Sequence, residues 1–312
     1  MVAGDGVYLI DCGDGVAAQY RRAGLGPAGS GHGLDHLRAI FFTHLHSDHT
    51  IGYPGLLIAG VLNGLSKVAQ PIQVYGPGRQ EPAAVLSGDR GSGRVVNPQD
   101  PVPGVVELTQ GIFAAFATDL NERLRSPHVV NPESVFEPHE ITLPAEARSD
   151  PSRDPAPRTE PFLLYEDPNV RVTATLVDHR PCFPAFGFRF ETADGVIVFS
   201  GDTRPNENLV RLARGADILV HEVISKPAME RHLTEPAARA RLDGILRTHT
   251  TVEEVDAVAR GAGVGKLVLS HVVPPNATGD EFRPARPTFD GELIVGEDLD
   301  QIMLSARHDR KR

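Results

Sequence analysis

Thr43-His44-Leu45-His46-Ser47-Asp48-His49 follows directly on the apolar run Ala39-Ile40-Phe41-Phe42. An apolar run bounded by polar residues reads as a buried strand, so the histidine-rich stretch is the loop leaving it. Three imidazoles and one carboxylate this close together suit Zn²⁺ and neighbouring first-row ions. A tight loop can turn His44 and His46 one way and Asp48 and His49 the other. Sharing donors between two directions suggests two metals in place of one crowded metal. A chance cluster of surface histidines is the alternative these residues leave open.

The rest of the chain sets bounds on that reading. Its 312 residues, 40% hydrophobic, suffice for one large core or two modest ones. The 31 Gly and 26 Pro imply many turns and long loops. A net charge of −10 argues against a surface built to neutralise nucleic-acid phosphates. The argument is weakened by metal ions, which reverse the local charge of a pocket. Cys12 and Cys182 are too few for a disulfide framework, and a reduced compartment is the simpler reading. No apolar run is long enough to span a bilayer, and the start MVAGDGVYLI lacks a charged-then-apolar signal pattern, so a cytoplasmic location is expected.

Taken in order, Val7 to Ile10 reads as a strand running into the turn Asp11-Cys12-Gly13-Asp14-Gly15. Asp11 is either a partner for a metal-bound histidine or an ordinary Asx-turn residue. Pro54 suits the start of a helix, and Ile72 to Tyr75 a strand. Residues 77–161 then change character and become loop-rich. Within them Leu108, Ile112, Phe116, Leu120 and Leu124 recur every four residues, which predicts an amphipathic helix. Its stripe is expected to pack on the core or on a second subunit, making a homodimer a further expectation. Strands follow at 170–177, 186–190 and 195–199, the last two joined as a hairpin at Asp194-Gly195. Further strands end near His221-Glu222 and Ser270-His271, and Thr251 to Glu254 reads as a capping box. His44, His179, Asp202, Glu222 and His271 thus each fall just past a predicted strand, where α/β proteins place their sites.

Four further stretches accompany the first motif: His179 before Pro184 to Phe188, Ser200-Gly201-Asp202-Thr203, His249-Thr250-Thr251 and Leu269-Ser270-His271. Together with Gly215 to Glu222 they resemble the metallo-β-lactamase superfamily, in the branch holding ribonuclease Z and the arylsulfatase-type and phosphodiesterase-type hydrolases. The resemblance covers roughly residues 5–80 and 165–300. It implies an α/β fold, a four-layer αβ/βα sandwich of two mixed sheets flanked by helices. One domain over 1–312 is expected, with the loop-rich stretch at about 77–161 as an insertion. It also implies a dinuclear metal site, with zinc ahead of manganese or iron. His44, His46 and His179 would hold one ion, Asp48, His49 and His271 the other, and Asp202 both. Water held between two such ions ionises near neutral pH and supplies the nucleophile. Asp48 would accept a proton, while His249, oriented by Glu222, would protonate the leaving group.

In ribonuclease Z a long insertion between the lone metal histidine and the bridging aspartate forms an arm that grips tRNA. Here only a hairpin separates His179 from Asp202. With the acidic charge, this leads to the expectation of a hydrolase of phosphodiester or sulfate esters in small molecules. The tRNA 3′-end endonuclease comes second, lactonase or β-lactamase chemistry third, and a non-catalytic metal-binding protein is the reading from another class. Family members usually carry a further strand ahead of Leu9 to Gly13, and this chain begins almost at that segment, so the expectation is either a truncated or misplaced start or a first strand missing from the sheet.

Overall fold

The computed structural model describes residues 1–25, 33–62, 68, 70–80, 95–148, 150–151, 153–232, 235–277, 279–285 and 288–304. His32, His308, residues 81–94 of the loop-rich stretch and the charged tail from 305 lie outside the described residues. The chain divides into two compact units, Met1–Thr142 and Leu143–Arg312. Each is built around its own mixed sheet flanked by helices. Among the described residues, no helix is long and apolar enough to cross a membrane.

The first unit has five strands in the order β1 (Val2–Ala3), β2 (Gly6–Ile10), β3 (Leu37–Phe41), β4 (Ile72–Gly76) and β5 (Phe136–Glu140). β1 and β2 pair antiparallel; the remaining neighbours run parallel. Parallel strands end at one edge, so the turn after β2 and the loop after β3 emerge side by side. Asp11 N donates to Phe41 O at 2.9 Å, which ties the two exits together.

Helices Tyr53–Leu62 and Val105–Ala115 contribute to the core of this sheet, where Val7, Ile40, Phe42, Tyr53, Leu56 and Ile112 are buried. Burying a side chain of that size contributes roughly 1.5–3 kcal/mol. Phe42 and Tyr53 meet edge to face with centroids 5.0 Å apart, and the Tyr53 hydroxyl finds Thr109 Oγ1 at 3.1 Å. The predicted helix over 108–124 is two helices, Val105–Ala115 and Ala117–Arg123, broken at Phe116. Ile112 and Leu120 from its stripe are in the core, whereas Phe116 at the break is exposed. Core packing therefore accounts for Ile112 and Leu120 of the stripe. The stretch 77–161 also supplies β5, which its Pro and acidic residues hide from pattern reading.

The second unit has seven strands in the order β12-β11-β10-β9-β8-β7-β6. They are β6 (Phe162–Glu166), β7 (Val170–Leu176), β8 (Phe186–Thr192), β9 (Val196–Phe199), β10 (Ile218–Ile224), β11 (Lys266–Val273) and β12 (Glu292–Val295). β6 to β9 pair antiparallel, and β9 to β12 parallel. β7, β9, β10 and β11 consequently point the same way, and their C-terminal ends share an edge. Helices Glu207–Leu212 and Val252–Ala262 bury Leu209, Leu212, Val255 and Ala259 with Leu219 and Leu267 of the sheet. Thr251 N donates to Glu254 Oε2 at 3.0 Å, the capping box its sequence announces.

Candidate active site

In the first unit the site is one loop and one turn. After β3 the chain passes through Thr43 to His46 and enters a single helical turn, Ser47–Thr50. Gly52 fixes its position. Gly52 N donates to Cys12 O at 2.9 Å, and a Cβ at Gly52 would collide with the Gly13 carbonyl oxygen. The loop divides as its spacing suggests. His44 Nε2 meets His46 Nδ1 at 3.0 Å, and His49 Nε2 lies 3.7 Å from Asp48 Oδ2. His44 and His49 are buried, while His46 and Asp48 are exposed.

Asp11 decides between its two readings by its contacts. Its Oδ1 accepts from Thr43 N at 2.7 Å, and its Oδ2 meets Thr43 Oγ1 at 2.8 Å and His49 Nδ1 at 2.7 Å. It clamps the metal loop to the turn after β2 and sets the ring of His49. Its own backbone is left-handed, with φ of 58°, a conformation Asp tolerates better than most residues. Cys12 beside it is fully buried; burial, with the Asp11 charge adding to it, holds the thiol well above its usual pKa, so it is no nucleophile.

In the second unit the site is assembled from strand ends. Asp202 is buried, and its Oδ2 stands 3.8 Å from His179 Nε2, from His271 Nε2 and from His249 Nδ1. His179 Nδ1 is 3.0 Å from the Thr248 carbonyl oxygen, which can only accept, so the proton sits on Nδ1 and the lone pair on Nε2. Glu222 Oε1 is 3.1 Å from His249 Nδ1 and accepts from the Thr203 and Thr250 amides at 3.1 and 3.2 Å. Burial raises the Glu222 carboxyl above its ordinary pKa, opposed by the hydrogen bond to His249. His221 is fully buried, with Nδ1 2.7 Å from the Glu222 carbonyl oxygen, and burial pushes its pKa down to about 4.

Two positions differ from the sequence expectation. Glu222 and His271 lie inside β10 and β11, not past their ends. The register shifts between Glu222, opposite Ser270, and Val223, opposite Val272. His271 is the extra residue of that bulge, with φ of 45°. The bulge turns one side chain out of the ladder without ending the strand. Sequence reading also passes over Thr248, Thr203 and Thr250, whose contributions are a carbonyl and two amides, groups every residue carries.

The donor chemistry fits divalent cations. A neutral imidazole with its second nitrogen hydrogen-bonded to a carbonyl or carboxylate is the usual state of a metal ligand. His179 and His49 both have it. A buried carboxylate oxygen 3.8 Å from two imidazole Nε2 atoms is beyond hydrogen-bonding range. It is near the separation of two ligands on a common ion.

A family model described as the beta-lactamase superfamily domain matches residues 7–86. Ribonuclease Z of Mycobacterium sp. (strain KMS) is 33% identical over 304 residues, covering 96% of this chain and 87% of that one. Ribonuclease Z of Mycobacterium marinum (strain ATCC BAA-535 / M) is 30% identical over 308 residues, covering 98% and 91%. Among solved structures, human tRNase Z, short form, superposes with a TM-score of 0.58 at 22% identity over 98% of this chain and 91% of that one. The metallo-beta-lactamase fold protein YhfI from Bacillus subtilis gives 0.57 at 16% identity, over 95% and 87%. This chain belongs to the metallo-β-lactamase superfamily, in its ribonuclease Z branch. It has that fold and is a metal-dependent hydrolase.

One expectation is overturned. A small-molecule ester substrate, with nucleic acid disfavoured, conflicts with relatives that match almost end to end and bear the name ribonuclease Z. Neither ground for that expectation is sufficient: a hairpin in place of an arm between His179 and Asp202 does not exclude RNA, and a net charge of −10 says nothing about the sign at a local surface. The sulfate-ester reading loses its support for the same reason.

Proposed function

We propose that this protein is a ribonuclease Z-like endonuclease that hydrolyses a phosphodiester bond at the 3′ end of precursor tRNA. The observation that carries the reading is the near full-length similarity to ribonuclease Z at 33% identity. In this proposal His44, His46 and His179 hold one ion, Asp48, His49 and His271 a second, and Asp202 is common to both, within a single catalytic domain over 1–312. The geometry around Asp202 supports the last role, since two of the assigned histidines face the same oxygen. Zn²⁺ is the proposed ion because imidazole predominates in the donor set, with Mn²⁺ and Fe²⁺ served by the same donors.

Divalent ions, when bound, would acidify a water molecule and offset charge accumulating on the phosphoryl oxygens. The chain's own groups do the rest. Asp48, exposed at the loop, accepts the proton the attacking water loses. The new P–O bond forms as the P–O bond to the departing nucleotide oxygen breaks, and that oxygen needs a proton. His249 is placed to give it. Its Nδ1 is held by Glu222, which leaves Nε2 as the donating atom. Two backbone amides on the same Glu222 oxygen keep the carboxylate from turning away.

The test is cleavage of a precursor tRNA bearing a 3′ trailer by Zn²⁺-loaded protein, with metal analysis of the same sample. Release of the trailer with two ions per chain is expected. An intact precursor, from a sample that binds two ions and hydrolyses bis(p-nitrophenyl) phosphate, would return the substrate to the open question.

A further inference from the structure

Resting on the RNA reading above, we propose that Arg204 and Arg180, both anchored on the buried Asp178, form a clamp for an RNA backbone phosphate neighbouring the scissile one. Asp178 follows β7 and Arg204 follows β9, so the two loops leave the same edge of the second sheet. They are stitched together, since Arg204 N donates to the Asp178 carbonyl at 2.9 Å. The Asp178 carboxylate takes the fork of Arg180, with Nε to Oδ1 at 3.0 Å and Nη2 to Oδ2 at 2.6 Å. Arg204 Nε stands 4.0 Å from the same Oδ2, too far for a hydrogen bond.

Two guanidinium groups therefore face one buried carboxylate, and the Asp154 charge also bears on Arg180. Elsewhere in this unit Arg171 with Glu166 and Arg189 with Glu191 are one-to-one pairs, while Arg158 and Arg211 both lie 3.9 Å from the exposed Glu160. Both clamp side chains are open to solvent, at 44% and 49% exposure, while the Asp178 side chain is at 10%. The pair is placed beside the proposed ligands: Arg180 directly follows His179, and Arg204 lies two residues after Asp202. A planar fork with free donors matches two phosphate oxygens, and arginine is the side chain that does this best. Only the β8–β9 hairpin intervenes between these loops, so the chain has no arm there. A short fixed grip on these loops can position the RNA strand for the cut.

The experiment compares wild type, R204Q, R204K and R158Q in the full chain. Arg158 is the control, an 80% exposed arginine on the surface of the same unit. Binding of fluorescein-labelled precursor tRNA to the metal-free chain is followed by anisotropy across a KCl series, and cleavage by the Zn²⁺-loaded chain is measured separately. R204Q is expected to raise Kd and KM about tenfold and to make the slope of log Kd against log[KCl] shallower by about one, with kcat nearly constant. R204K should restore the slope but only part of the affinity, because it returns the charge without the fork. R158Q should move neither. An R204Q slope equal to wild type, or an equal change in R158Q, overturns the clamp. Wild type that binds RNA without cutting it removes the proposed function and leaves the clamp standing, whereas wild type that binds no RNA removes both.

Discussion

The metal loop of the first unit and the strand-end cluster of the second use similar side chains and are built in opposite ways. His44, His46, Asp48 and His49 come from one loop, held from outside by the turn after β2, through Asp11 and Cys12. His179, Asp202, Glu222, His249 and His271 span 93 positions of sequence, and what collects them is the strand order of a seven-stranded sheet. The loop can be preorganised by local hydrogen bonds. The cluster exists only once β7, β9, β10 and β11 are all in register, with a bulge at His271. The lesson is that damage should stay local in the first region and spread in the second.

The widest effect is expected at the centre of the second cluster. Asp202→Asn removes the charge three histidines face, and kcat/KM for precursor tRNA should fall by about 10³-fold or more, with metal content dropping from two ions toward none. His46→Ala, at the exposed side of the loop, should lose one ion and keep the other. Equal losses in the two variants, read by elemental analysis, would erase the contrast between the regions. Next comes His249→Ala, which should cut kcat by roughly 10²- to 10³-fold while KM and both ions are retained. A variant that loses metal would make His249 a ligand and break its assignment as proton donor.

A smaller effect is expected from Asp11→Asn. Asn tolerates the left-handed backbone at this position, so the turn survives. The amide cannot accept from Thr43 and His49 with both atoms, so metal affinity should weaken roughly 10- to 100-fold in competition with a chromogenic chelator. An unchanged affinity would reduce Asp11 to a turn residue. The smallest effect concerns pH. His221 has a folded-state pKa of about 4, below the unfolded value, so its contribution to stability is full above about pH 6.5 and is lost as pH falls toward 4. At pH 5 the loss is about 2 kcal/mol. The melting temperature of metal-free protein should therefore drop more steeply between pH 7 and 5 in wild type than in His221→Gln; parallel curves would contradict this.

Much of this architecture is written locally. The strand before Thr43, the β8–β9 hairpin at Asp194-Gly195 and the capping box at Thr251 each rest on neighbours a few residues apart, and each is present. β5, β6, β12 and the helices Lys226–His232 and Pro236–Leu246 carry weak patterns, because Pro, Glu and Arg interrupt their periodicity. They owe their form to what they pack or pair against.

The donor types, the strand that carries the metal loop, and the superfamily those residues resemble can be read along the chain, since all three depend on short-range order. That Asp11 holds His49, that Asp202 faces three histidines, that His271 sits on a bulge, and that Arg180 and Arg204 face one carboxylate emerge from the folded chain. Those facts turn on strand order and register, which are set by cooperative pairing and burial over the whole sheet. No window of neighbouring residues contains that information.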